Sequence, residues 1–239
     1  MRLIALFLAL TLVLGPAAMQ GAPASEATNV LSAGEIIQRA TQRDEVLRRD
    51  RQSYECDVHV KTEKLDGRGT VVSTKAVDVT MRPTRQIAFG GELKAEKPDK
   101  AYCEAQKFMA VLDLQKLTPR FQLTREVDAE ATGRGCFVVS YRPRPGQSYD
   151  TREEKVINGL SGRFWIAKDD FSIVQSDGSL AQPITVALVA SVYRLDFQYR
   201  SLSLPTGETA PASFSVNLAV RAPLYDLRQR QTSTISNYR

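Results

Sequence analysis

GRFWIAKDDFSIVQS, residues 162–176, decides the fold. Residues 163–168 form an aromatic and β-branched run suited to a pleated strand, and residues 171–175 supply a second such run. Between them stand Asp169 and Asp170, short polar side chains that tolerate tight turn geometry. The stretch predicts a β-hairpin, and the adjacent carboxylates are explained by the turn without any acid-base role.

Downstream, Asp177-Gly178 predicts a turn and residues 183–189 a short apolar lead-in. Ser191, Tyr193, Leu195, Phe197 and Tyr199 then alternate with Arg194, Asp196, Gln198 and Arg200. After Pro205-Thr206-Gly207, Phe214, Val216, Leu218 and Val220 alternate with Ser213, Ser215, Asn217 and Arg221. A period of two with one apolar set describes strands buried on one face. Residues 226–238 are more polar and predict an edge strand. Upstream of the hairpin, Phe121, Leu123 and Val127 share a face, residues 128–135 read as a loop, and Phe137, Val139 and Tyr141 form the next strand. Residues 147–161 read as a polar connection. Arg125 falls in register with Phe121 and Leu123, so its guanidinium is directed at the apolar side and needs a partner or an exit to water.

The first half follows the same logic. Ser32-Ala33-Gly34-Glu35 has the capping-box form, in which hydroxyl and carboxylate each satisfy an orphan backbone donor. It predicts an amphipathic helix to about residue 49, with Ile36, Ile37, Ala40 and Leu47 on the face to be buried. Tyr54, Cys56, Val58, Val60 and Thr62 then alternate with charged residues, residues 66–69 turn, and residues 70–82 return with Val77, Val79 and Met81 on one face. A weaker strand is predicted at 86–93. Over 96–117 the alternation gives way to helical spacing of Tyr102, Cys103, Gln106, Met109, Ala110 and Leu114. The sum is an α+β, mostly β chain of about 9–11 antiparallel strands with helices at the start and middle.

The chain has 239 residues, 43% hydrophobic and 25% charged, enough to bury one sizeable core. Its net charge of +5 is spread along the whole sequence. Even Arg48, Arg49 and Arg51 are interleaved with Asp44, Glu45 and Asp50, so the concentrated basic footprint of a nucleic-acid binder is missing. Met1-Arg2 precedes an apolar run of roughly a dozen residues, too short to span a bilayer but suited to a secretory signal. Small residues Ala22 and Ala24 predict a signal peptide over 1–24 with Ala27 as a second cleavage site, and one domain over 25–239. The site has no neighbouring cysteine, so an exported protein without lipidation is expected. His59 is the sole histidine, which excludes a multi-imidazole metal site and reads as a surface residue. No catalytic constellation, metal site or cofactor is expected. Cys56, Cys103 and Cys136 leave at least one thiol unpaired within a monomer; a Cys103–Cys136 bridge is one pairing that spacing does not decide.

The hairpin core FWIAKDDFSIV resembles that of the LolA/LolB-like lipoprotein-carrier superfamily. So do the stretches YECDVHVKTEKLDGRG and FQLTREVDA with GRGCFVVSYRPRPG, and the closing RQRQTSTISNYR. The resemblance implies an incomplete, curved antiparallel β-barrel whose open side is covered by helices. It implies a non-enzymatic periplasmic carrier for a lipid, acyl chain or lipidated protein, with only transient membrane contact. The alternative on the same fold is a protein-interaction or envelope-stress sensor module with an envelope protein as partner. A sheet of about ten strands curls enough to leave space that two short helices do not fill. The inward faces therefore predict an apolar cavity lined by Val58, Val60, Met109, Phe121, Leu123, Trp165, Tyr193, Leu195, Phe197, Phe214, Val216 and Leu218. Met109 belongs to a movable cover, and Arg125 is the candidate polar latch between sheet and helix.

Overall fold

The hairpin is present. In the computed structural model, β6 (Leu160–Ala167) and β7 (Ile173–Leu180) pair antiparallel from Leu160↔Leu180 to Ile166↔Ile173, around a turn at residues 168–170. The structure describes residues 30–51, 54–81, 114, 118–187 and 190–239. The signal peptide, the strand predicted at 86–93, Cys103, Met109 and all of the 96–117 helix except Leu114 lie outside the described residues. Leu114 is helical and buried, and its carbonyl accepts the Thr118 hydroxyl at 2.6 Å.

The remaining strands are β1 (Cys56–Leu65), β2 (Val71–Met81), β3 (Phe121–Arg125), β4 (Ala129–Ala131), β5 (Arg134–Pro143), β8 (Ile184–Ala187), β9 (Ala190–Ser203), β10 (Thr209–Ala222) and β11 (Tyr225–Ser236). They join β6 and β7 in one sheet ordered β2-β1-β11-β10-β9-β7-β6-β5-β3, with β4 on β5 and β8 on β9. The ends β2 and β3 do not meet, so this is a curved antiparallel barrel left incomplete. Two sequence expectations are corrected by this order. The polar β11 is an interior strand, paired to β10 and to β1, and among the described strands β2 lies at one end of the sheet. Asp177 and Gly178 lie within β7, where no side chain at Gly178 would fit beside the Tyr141 and Phe197 rings. Val127 is also not part of the apolar face: β3 ends at Arg125 and Val127 is 89% exposed.

Helix α1 (Ala33–Arg51) starts at the predicted box. The Ser32 amide donates to Glu35 Oε2 at 2.8 Å, and the Glu35 amide donates to Ser32 Oγ at 3.3 Å. Ile36, Ile37 and Ala40 are buried against Val139 of β5 and Ile166 of β6. Fully burying side chains of the isoleucine class contributes roughly 1.5–3 kcal/mol each, more than such a cap supplies. Helix α2 (Arg152–Ile157) stands where the sequence predicted a polar connection. Thr151 caps it by accepting the Glu154 amide at 3.1 Å, and Glu154 accepts the Asp150 amide at 2.8 Å. The Thr-x-x-Glu signal was in the sequence, masked by the charge around it. Ile157 enters the core beside Leu160 and Val192.

Cross-strand partners share a face of the sheet, so register alone assigns the two sides. One inner row runs Leu123, Tyr141, Gly162, Gly178, Phe197, Val216, Gln231, Thr62, Lys75. The next runs Arg125, Val139, Phe164, Ser176, Tyr199, Phe214, Ser233, Val60, Val77. Opposite them the outer face carries the polar ladder Glu63, Arg230, Asn217, Asp196. Arg230 donates to Asn217 Oδ1 at 3.2 Å, and Asn217 donates to Asp196 Oδ2 at 2.5 Å. Glycine is required at the centre of the first row: a Cβ on Gly162 would sit 2.7 Å from the Tyr141 hydroxyl, and one on Gly178 would sit 2.5 Å from Phe197 Cε1.

Candidate functional site: the inner face of the sheet and its helical clasp

Seven of the predicted lining residues come together on the inner face. Phe121, Leu195, Phe197 and Phe214 form a buried cluster with Tyr141, Ile157, Leu160 and Val192, and Leu123, Val216 and Leu218 pack against it. Aromatic rings supply much of this surface, with Phe121 edge-on to Tyr141 at 5.1 Å and Phe197 tilted over Phe214 at 6.2 Å between centroids. Val58 and Val60 lie on the same face in a second cluster, with Cys56, Met81, Ile235 and Tyr238. Ser233 separates the two clusters along the Phe214–Val60 row.

Two predicted residues are set elsewhere. Trp165 packs beside Cys136, Ala167 and Val174, because Phe164 and Ile166 take the inner positions of β6. Tyr193 leaves the inner row through a bulge: Val192 pairs with Val220 and Arg194 with Ala219, so one extra residue is accommodated on β9. Its ring lies under Arg221 and Arg228 at 4.9 and 5.6 Å, and its hydroxyl donates to Asp226 at 3.0 Å. Val192 is the inner residue that strict alternation passed over. No sequence signal marks this bulge.

The helix is held on the sheet by polar groups around its apolar contact. Arg125 is on the inner face, as its register with Leu123 required, and its Nη1 donates to the Leu31 carbonyl at 2.9 Å, just before the helix cap. Its Nη2 meets both Asp128 oxygens at 3.2 Å, its guanidinium lies 5.1 Å from the Phe137 centroid, and Lys168 pairs with Asp128 at 2.8 Å. Burial pushes the Asp128 carboxyl up, but Lys168 and Arg125 outweigh it and hold it below the usual carboxylate range.

A second clasp grips the middle of the helix. Arg39 lies over the Phe171 ring at 5.1 Å, and Arg43 approaches Asp170 at 3.6 Å. Phe171 adopts φ 59°, a left-handed conformation that a non-glycine residue holds at roughly 1 kcal/mol or more, and stacks on Phe137. Behind it Arg134 donates to Asp170 at 2.7 Å, to Ser172 Oγ at 3.0 Å and to Thr209 Oγ1 at 3.1 Å, and also pairs with Asp169. The two carboxylates are turn residues, as predicted, and anchor this network as well. Arg134, Ser172 and Thr209 are separated by up to 75 positions in the chain, so only folding brings them together.

Among the described residues no group of three or more His, Cys, Asp or Glu side chains could hold a metal ion, and no helix is long and apolar enough to cross a membrane. His59 pairs with Asp78 at 2.6 Å on the exposed outer face. Cys56 and Cys136 are buried free thiols, and Cys136 Sγ contacts the Arg134 carbonyl at 3.3 Å.

No protein-family model and no curated protein matches the chain. Among solved structures it is similar to a DUF1329 family protein from Desulfovibrio piger, at 11% identity over 87% of this chain and 92% of that one, with a TM-score of 0.37. It is similar to a LolA superfamily protein from Nitrosomonas europaea, at 9% identity over 87% and 93%, with a TM-score of 0.33. A third likeness is to the MucA/MucB complex structure from Pseudomonas aeruginosa, at 11% identity over 85% and 94%, with a TM-score of 0.29. At these values the likeness is one of general arrangement, and the functional reading rests on the chain's own geometry.

Proposed function

We propose that the protein is a non-enzymatic carrier of the periplasm that holds a lipid, an acyl chain or a lipidated protein segment against the inner face of its sheet. The observation that carries this reading lies on β10. Val216, Leu218 and Val220 belong to a central strand and face inward, yet they are only partly buried. Apolar side chains on the concave side of a sheet normally complete a core; left partly in water, each such group forfeits part of about 1.5–3 kcal/mol. A bound hydrocarbon chain recovers that burial. The charged start and short apolar run of the sequence support export. Arg125 acts in this reading as a latch that holds the start of α1 over the neighbouring part of the same face.

The test is binding of a fluorescent fatty-acid probe to the purified protein, with Leu218→Arg as the disrupting variant. Leu218 is only partly buried, so arginine there leaves the buried phenylalanine cluster in place. Micromolar binding that is lost in L218R supports the carrier. A second reading, a protein-interaction module, draws on β2, at one end of the sheet among the described strands, whose Val71 and Val72 are 43% and 62% exposed. Failure of the probe to bind, together with capture of an extended peptide along β2, would replace the first reading by the second.

A further inference from the structure

Ser176 is 5% exposed, and its hydroxyl has no hydrogen-bond partner in the chain. Register sets it on the inner face of β7, directly between Phe164 of β6 and Tyr199 of β9. A hydroxyl withdrawn from water without a partner costs stability. Ser172, Ser201 and Thr209 are buried too, and each finds a partner. The Ser172 hydroxyl donates to Asp170 Oδ1 at 2.7 Å, that of Ser201 to the Val174 carbonyl at 3.1 Å, and that of Thr209 to Ser172 Oγ at 3.0 Å. Arg43 Nε and Arg228 Nε are also unpartnered, but each belongs to a guanidinium bound through another nitrogen, to Asp170 and to Asp226 respectively. At Ser176 the whole polar capacity of the side chain is unmet. Alanine would fill the same space without that cost, so packing does not account for the hydroxyl.

The hydroxyl stands beside the open part of the inner face. Phe164 and Tyr199, on either side of it, are only partly buried, and Val216, Leu218 and Val220 continue that partly buried surface on β10. From β7 to β10 is two strand spacings, about 10 Å, within the length of an ordinary acyl chain. We infer that the ligand of this face is an acyl lipid whose carbonyl oxygen accepts a hydrogen bond from the Ser176 hydroxyl while its hydrocarbon runs to β10; this rests on the carrier reading above. Sites for small molecules join a large apolar surface to a few placed polar groups that fix orientation, and Ser176 is such a group. Hydrocarbon alone offers a hydroxyl nothing. The acyl carbonyl is the acceptor carried at the end of the hydrocarbon itself, so a chain lying on β10 brings it to the sheet. Binding then recovers the hydrogen bond that the free protein forgoes.

The test titrates the full chain with monolauroylglycerol and with its ether analogue, monododecyl glycerol ether, each below the concentration at which it aggregates. The two share chain and head and differ at the carbonyl. The ester is expected to bind about tenfold more tightly, the effect of one hydrogen bond made to a buried group that otherwise has none. In Ser176→Ala the two should bind alike, with the affinity of the ether unchanged. The variant should also be at least as stable to denaturant as the wild type, because the hydroxyl it removes holds no partner in the chain. The carbonyl stretch of isotope-labelled monolauroylglycerol should lie at lower frequency on the wild type than on the variant. Equal binding of ester and ether by the wild type, or an ester preference kept in Ser176→Ala, would overturn the inference and leave the carrier standing. A variant less stable than the wild type, with both affinities reduced, would also overturn it, since the hydroxyl would then serve the fold. Binding of neither lipid by the wild type would remove the carrier reading and this one with it.

Discussion

The Tyr141 hydroxyl of β5 donates to the backbone carbonyl of Asp177 on β7 at 2.9 Å, reaching across the whole width of β6. Only a strand with no side chain at the crossing point permits this, and Gly162 is that point, with Gly178 beyond it. Two missing side chains thus make the trough that the Tyr141 and Phe197 rings fill, turning a weak place in the sheet into the centre of the core.

Gly178→Val should therefore destabilise the protein by about 2–3 kcal/mol, the cost of forcing branched carbon into a filled site. Denaturant unfolding measures it. A variant as stable as the wild type would show that the trough is not packed as described.

Burial pushes the Tyr141 phenol above its ordinary range, and the Asp177 carboxylate adds to the effect. The unfolded phenol ionises near pH ~10, so the folded state holds a proton that the unfolded chain can lose. The stability linked to Tyr141 is then complete below that pH and lost as pH rises toward the folded-state value. Relative to Tyr141→Phe, the wild type should lose stability between about pH 9 and 11. A constant difference across that range would contradict the assignment.

Arg125→Gln removes the bond to the Leu31 carbonyl and the pairing with Asp128, a loss of about 1–2 kcal/mol. The damage should be local. Amide exchange of the first turns of α1, including Ile36 and Ile37, should accelerate more than exchange in β9 and β10. Uniform acceleration would mean that Arg125 supports the whole fold rather than the helix entry.

Burial pushes the Asp170 carboxyl up, but hydrogen bonds from the Ser172 hydroxyl and amide and from Arg134 outweigh it and hold it low. A depressed carboxylate stabilises the fold above the unfolded value of ~3.9, and that contribution disappears as pH falls through the folded value. Asp170→Asn should accordingly be less stable than the wild type at neutral pH and converge with it in acid. Parallel thermal unfolding curves at about pH 3 and pH 7 would refute the linkage.

Burial pushes the thiols of Cys56 and Cys136 up, and neither is accessible. Alkylation of the native protein should leave the peptides containing these two residues unlabelled, whereas unfolding without reductant should expose them. Rapid native labelling at either position would show that its strand opens.

The capping box, the hairpin and most strands were legible in the sequence because each is set by neighbours in the chain: a Ser-x-x-Glu spacing, an acidic turn, an alternation of period two. The inward register of Arg125 was legible for the same reason. Alternation failed at Tyr193, where one extra residue on β9 moved the ring off the inner face, and at Trp165, where composition could not say which side of β6 faces the helix. The polar β11 read as an edge by its composition, yet it is interior, because polar side chains on a strand say only that its faces are wet and nothing about its hydrogen-bonding partners. Asp177-Gly178 read as a turn until folding placed an aromatic ring from another strand over the glycine. The sequence by itself determined much of the local conformation and, for most strands, which side is apolar. Strand order and the clasp that joins Arg39 to Phe171 and Arg43 to Asp170 were decided by the tertiary structure alone. They depend on register between segments far apart in the chain, which no local pattern encodes.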